Sequence, residues 1–362
     1  MVLWTVHISF FILVTVFGNT LVIVAFIEDR RLRNQSNFFL LNLAICDFFI
    51  GAFCVPLYVP YMFTGKWILG NICCKLWLVI DNLMCTASAL SVVLISYDRF
   101  LSVTMAIKHR CQQNKHSQTV LKMAAVWILS SLVYSPAILF WEYFDHDKIT
   151  SDTVCVPGFY YNWHFLLGAS TFDFILPLTS ISFFNLSIYW NIQTRSKNKK
   201  HTVVSSISSN KTEAQVGLSV LSNNILNNGI DSTETKRKMA KTLPTLLTLN
   251  RCFGKDIKLY GSQTESVQSN TIRIINLSQD KKMAKSLSVL VGVFFICWAP
   301  YSLLMVIRAA CHDYCADSYW YEITFWLLWV NSSINPFLYP LCHASFKKAF
   351  IKVFYKYLCR CS

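Results

Sequence analysis

Charge is what this sequence has least of. Only 14% of its 362 residues are Asp, Glu, Lys or Arg, where a soluble globular chain carries about 25%. Glycine is scarce too, with 11 residues, which excludes a collagen-like chain. Acidic residues are the rarer sign: 19 Asp and Glu stand against 33 Lys and Arg, for a formal net charge of +14. No metal-ligand spacing and no nucleophile–base constellation is present, so an enzyme has nothing to rest on. What abounds is apolar. The chain is 54% hydrophobic and 15% aromatic, which excludes disorder throughout and demands a solvent other than water for much of the surface.

The apolar residues gather in seven stretches: Val2–Ile27, Asn37–Phe63, Ile72–Met105, Thr119–Trp141, Trp163–Ile192, Ala284–Ala309 and Tyr319–Cys342. Each can cross about 30 Å of hydrocarbon as a helix rising 1.5 Å per residue. They are too long for barrel strands, which need only about 9–11 alternating residues. The expected fold is an all-α membrane protein, a seven-transmembrane helix bundle with prolines 56, 60, 136, 177, 300, 336 and 340 as kinks. It occupies 1–342, and 343–362 forms an amphipathic eighth helix and a short tail.

The connections set the orientation. Arg30, Arg31 and Arg33, then Lys108, Arg110, Lys115 and Lys122, then the Lys-rich segment 193–283, and finally Lys347, Lys348, Lys352, Lys356 and Arg360 make one face basic. The opposite loops are poor in Lys and Arg. By the positive-inside rule the basic face is cytoplasmic, with the N-terminus outside and the C-terminus inside. The net charge is therefore a topology signal and not a nucleic-acid footprint. Segment 193–283, rich in Ser, Asn, Thr and Lys, reads as largely disordered with helical extensions at its ends. Cys359 and Cys361 follow the amphipathic helix and are palmitoylation candidates. Asn19 should lie near mid-span with only 18 residues before it, and the outer face has no glycosylation sequon. The first helix is expected either to start a few residues short or to belong to an incomplete chain.

On the oxidising outer face, Cys74 at the start of span three can pair with Cys155 in the second outer loop. Cys73 is adjacent and equally eligible. Cys311 and Cys315 could close a small ring. Ionisable groups inside the spans are a sharper signal, because each costs about 2.5–3.5 kcal/mol to insert at mid-membrane. Asp47, Asp81, Asp98, Arg99 and Asp173 all fall within spans. Asp81 lies two turns inward of Cys74, where a cationic ligand from outside can reach it; the alternative is a structural pair with a buried donor. Asp173, one turn before Pro177, should sit at similar depth, facing the same cavity or a hydroxyl on another helix. Asp47 has Ser88, Asn331, Ser332 and Asn335 as polar companions around a Na+ ion or a water network. Trp298, Tyr301, Trp326 and Trp329 offer aromatic faces for an alkylammonium group. Trp4, Trp67, Trp163 and Trp320 suit an interfacial belt.

Taken in order, Gly18-Asn19, Leu43-Ala44-x-x-Asp47, Cys74, Asp98-Arg99-Phe100, Trp127, Pro177, Cys297-Trp298-Ala299-Pro300 and Asn335-Pro336-x-x-Tyr339 resemble the rhodopsin-like (class A) G-protein-coupled receptors over nearly the whole chain. Asp81 matches the amine-binding aspartate of the aminergic subfamily. Cys74-Lys-Leu-Trp-Leu-Val, Leu94–Val103, Phe183–Tyr189 and Tyr339-Pro-Leu-Cys-His are most similar to histamine receptors, type 3 first and type 4 next. The resemblance implies histamine held between Asp81 and Asp173, with Trp298, Tyr301, Trp326 and Trp329 lining the pocket and Trp298 as toggle. It implies a switch of Asp98, Arg99, Pro300 and Tyr339, with Asp280 a second partner for Arg99, and Na+ at Asp47 favouring the inactive state. Implied partners are a Gi/Go heterotrimer, arrestin, receptor kinases and the plasma-membrane bilayer, with no nucleic acid and no cofactor besides Na+. Two residues depart from types 3 and 4: Asp173 replaces Glu, and Asn82 replaces the Tyr after the span-three aspartate. Another amine is therefore an alternative ligand. A transporter predicts inverted repeats, which are not seen. A retinal receptor needs a lysine in Tyr319–Cys342, and there is none.

Overall fold

The computed structural model describes residues 2–105, 116–144, 153–213, 264–311, 315, 317–342 and 344–358. Among them are long helices, and no strand. They are α1 (Val2–Glu28), α2 (Gln35–Thr64), α3 (Gly70–Thr104), α4 (His116–Phe144), α5 (Trp163–Ser170, continuing through Thr171–Ile175 into Leu176–Glu213), α6 (Thr264–Ala310), α7 (Ser318–Cys342) and the shorter α8 (Ala344–Leu358). Six are apolar and long enough to cross a membrane by composition alone. The 25 residues of α7 rise about 37 Å, enough for a seventh span. Large apolar side chains such as Phe10, Leu13, Phe17, Leu132 and Trp190 point outward on this bundle, as lipid solvation requires.

Helices α5 and α6 do not stop at the membrane boundary. They run on to Glu213 and begin at Thr264, so the helical ends expected for segment 193–283 are long ones, and 214–263 lies outside the described residues. Cys359 and Cys361 also lie outside them.

Helix α3 is the central post, packed against α2, α4, α5 and α6, while α1 meets α2, α7 and α8. Close approach requires glycine at two points. A Cβ on Gly18 would stand 3.0 Å from Pro336, and one on Gly51 would stand 2.7 Å from the Thr15 methyl. Two helices widen for one turn just before a proline. At Ile50–Cys54 the Val55 N–H reaches the Ile50 carbonyl, and at Thr171–Ile175 the Leu176 N–H reaches Thr171. Pro56 and Pro177 have no N–H to give, and the wider turn absorbs the lost bond. The second of these turns carries Asp173.

Polar side chains inside the bundle bond across helices. Asn19 donates to the Ser332 carbonyl at 3.1 Å, Asn42 to Ser91 at 2.8 Å, and Trp127 to Asn42 at 2.9 Å. Helix α8 buries Phe346, Ala349 and Val353 and is tied to α1 by Lys356–Glu28 at 2.6 Å. Trp67 corrects the belt reading. It is buried, its ring against Tyr61 and Trp77, and its indole N–H donates to the Gly70 carbonyl at 3.0 Å. The turn between α2 and α3 folds it inward, whereas Trp4, Trp163 and Trp320 are exposed.

Candidate functional site: an acid-lined outer cavity

Asp81 and Asp173 line one narrow cavity of about 80 Å³ at the outer end of the bundle. Its walls include Trp77, Asn82, Cys85, Tyr134, Trp298, Tyr301 and Phe325. The loop residues Cys155, Val156, Pro157, Phe159 and Tyr160 cover it. That cover is held by the Cys74–Cys155 disulfide and by the backbone N–H of Trp67, which donates to the Thr153 carbonyl at 2.7 Å. Cys74 is thus the partner, and Cys73 is a free thiol. Cys311 and Cys315 are also bridged. A larger depression lies on the outer surface of α4, lined by Pro136, Phe140, Trp141 and Phe165 among others. It has no ionisable acid or base apart from the Tyr143 phenol, so it offers nothing to a cation.

Asp81 is held from two neighbouring helices. The Trp329 indole donates to its Oδ1 at 3.0 Å, and the Cys54 thiol bonds to the same carboxylate. Cys54 is in turn fixed by the Trp77 indole, which donates to its carbonyl at 3.0 Å. Tyr58 stacks on Trp77 with ring centroids 5.5 Å apart. Asp173 receives the Tyr134 hydroxyl on Oδ2. Its Oδ1 is buried with no partner. Among the described residues no Lys, Arg or His pairs with Asp81 or Asp173. Such buried acids, met only by neutral donors, are a costly arrangement that a bound cation or N–H donor relieves.

Trp298 and Tyr301 line the cavity, and Trp298 stacks on Phe294 at 5.3 Å. Trp329 stands behind Asp81 rather than in the lining. Trp326 is not in the lining either: it packs edge-on against Phe11 and Trp329, toward α1. Three residues apart on a helix are two faces about 60° apart, which separates them.

Deeper in the bundle, Asp47 is fully buried. The Ser88 hydroxyl donates to its Oδ1 at 3.2 Å, the Asn335 amide to its Oδ2 at 2.8 Å, and Ser332 bonds to the same carboxylate. Asn331 is buried but is not among these partners. At the inner end, Asp98, next to Arg99, accepts the Ser36 hydroxyl of α2. Tyr339 is buried against Phe346 of α8. Pro300 lies within α6. The side chain of Asp280 is outside the described residues.

Sequence reasoning passes over several of these residues. Tyr134 and Cys54 look like ordinary apolar-span residues, and only their contacts give them a role. Glu322 did carry a signal, as an acid within Tyr319–Cys342; it accepts the Tyr58 hydroxyl at 2.8 Å.

Residues 18–339 match the family model described as "7 transmembrane receptor (rhodopsin family)". The chain is 38% identical over 347 residues to the histamine H4 receptor of Homo sapiens, covering 93% of this chain and 88% of that receptor. Against the histamine H4 receptor of Mus musculus the identity is 39% with the same coverage. The muscarinic acetylcholine receptor M1 of Sus scrofa is 26% identical over 400 residues, 93% of this chain and 85% of that receptor. With a cavity built on two buried acids inside a seven-helix membrane bundle, the chain belongs to the rhodopsin family of seven-transmembrane receptors, in its aminergic branch, and is a multi-pass membrane receptor and not an enzyme.

Proposed function

We propose that this chain is a histamine receptor that signals through inhibitory Gi/Go proteins. The reading rests above all on one observation: two buried acids share a cavity in which, among the described residues, no basic side chain neutralises them. The ethylammonium of histamine bonds to Asp81, a charge-assisted contact in a desolvated site. The imidazole N–H bonds to the open Oδ1 of Asp173. A narrow cavity suits a one-ring amine. The names of the H4 relatives support the same ligand.

Binding favours one of two packings of the bundle. Trp298, beneath the ligand, shifts against Phe294, and α6 swings about Pro300. Arg99 then turns from Asp98 toward the G protein, with Tyr339 completing the inner rearrangement. Arrestin and receptor kinases recognise the same inner face. The receptor sits in the plasma membrane with its N-terminus outside and its C-terminus cytoplasmic. The donor set around Asp47 suits Na+. Among the described residues its carboxylate meets only neutral partners, and the Asp47 and Ser88 oxygens are hard donors. Na+ there would neutralise the buried charge, while Asp47, Ser88, Ser332 and Asn335 hold the cluster together.

A receptor for another biogenic amine is the second reading. Asn82 favours it, because its amide folds back onto the Leu78 carbonyl at 2.8 Å and puts no ring beside Asp81. The test is histamine-stimulated nucleotide exchange on a Gi heterotrimer in membranes holding the full chain. Exchange is expected with the wild type and lost with Asp81→Asn. An unimpaired response from Asp81→Asn would overturn the reading.

A further inference from the structure

We propose that Tyr134 is a positioning residue that makes the far end of the cavity selective for amines whose ring carries an N–H donor. The inference rests on the reading of Asp173 as the ring anchor.

Tyr134 is buried on α4 and lines the same cavity as Asp173. Its hydroxyl donates to Asp173 Oδ2, while Oδ1 is buried without a partner. An aspartate's terminal torsion is soft, so its carboxylate settles only where a donor fixes it. Here that donor comes from a different helix. The widened turn at Thr171–Ile175 carries the acid, and Tyr134 is braced by Phe159 and Phe165, whose ring centroids lie 6.2 and 6.5 Å away. One oxygen is therefore engaged and the other is free for a ligand.

The consequence is chemical. A ring that offers an N–H fills the open acceptor. A ring that offers only an acceptor meets a lone pair, and a plain aryl ring leaves a buried carboxylate oxygen unpaired. The short Asp side chain makes the bracing more important, because it cannot reach a misplaced donor by extending.

The experiment is competition binding to membranes holding the full chain, with two probes of equal ethylammonium: histamine and 2-phenylethylamine, whose ring has no N–H. Tyr134→Phe should weaken histamine about tenfold while shifting 2-phenylethylamine less than about twofold. Asp173→Asn should weaken histamine as well. The double variant Tyr134→Phe/Asp173→Asn should lose little beyond Asp173→Asn alone, because the tyrosine acts through the acid. Equal losses for both probes, or fully additive losses, would mean a merely structural tyrosine and would overturn the proposal while leaving the Asp173 anchor intact. Histamine binding that is indifferent to Asp173→Asn would instead bring down the anchor reading, and this inference with it.

Discussion

The indole of Trp329 donates to Asp81 across the interface of α7 and α3 at 3.0 Å, and Trp329 is fully buried. A carboxylate that lines the cavity is thus oriented by a residue outside the cavity lining. Trp329→Phe keeps the ring and removes the donor. A hydrogen bond to a charged group contributes about 1.5–3 kcal/mol, so thermal stability and amine affinity should both fall. Trp326→Phe, toward α1, should leave amine affinity nearly unchanged. Ligand binding to the two variants side by side checks this.

The cover over the cavity depends on one covalent link. Cys155→Ser, or reduction of the Cys74–Cys155 bridge, frees residues 155–160, five of which line the cavity. Losing a bridge that closes a loop of this length costs about 2–5 kcal/mol. Both folding yield and ligand affinity should drop, measured as surface expression and saturation binding. Cys73→Ser should leave both intact.

The Asp47 cluster predicts a cation effect. Agonist affinity should fall when NaCl replaces an equal concentration of N-methylglucamine chloride, a control that removes general screening. A coupling of about fivefold or more is the usual scale between two linked sites. Asp47→Asn should flatten this dependence. A sodium effect that survives in the variant would sink the assignment.

Packing between α1 and α2 gives a stability prediction. Gly51→Ala would push a methyl to within 2.7 Å of the Thr15 methyl. Overpacking of this kind costs about 1–3 kcal/mol. Thermal unfolding of the purified receptor should show the loss, and Thr15→Ser in the same chain should recover part of it.

The spans and the buried acids at 47, 81 and 173 were legible because lipid imposes one rule on every residue: charge and unpaired backbone are costly there. That rule says where a residue sits in depth, but little about which way it faces. Trp326 and Trp329 are equally apolar on paper, yet one packs toward α1 and the other supports Asp81. Trp67 has the composition of a belt residue but is turned inward by the chain reversal before α3. The widened turn that aims Asp173 was foreshadowed only by Pro177, and the partner that fixes it, Tyr134, by nothing local. Its role arises from a contact between helices 39 residues apart in sequence. The choice between Cys73 and Cys74 was likewise geometric, since neighbours on a helix point about 100° apart.

On the proposed function, this cavity recognises histamine through its two acids. The most direct measurement is displacement of radiolabelled histamine from membranes holding the full chain, using histamine, acetylcholine, dopamine and serotonin as competitors. Saturable binding, displaced best by histamine and absent from Asp81→Asn, is the predicted result. No saturable histamine binding, or tighter displacement by another of these amines, would contradict it.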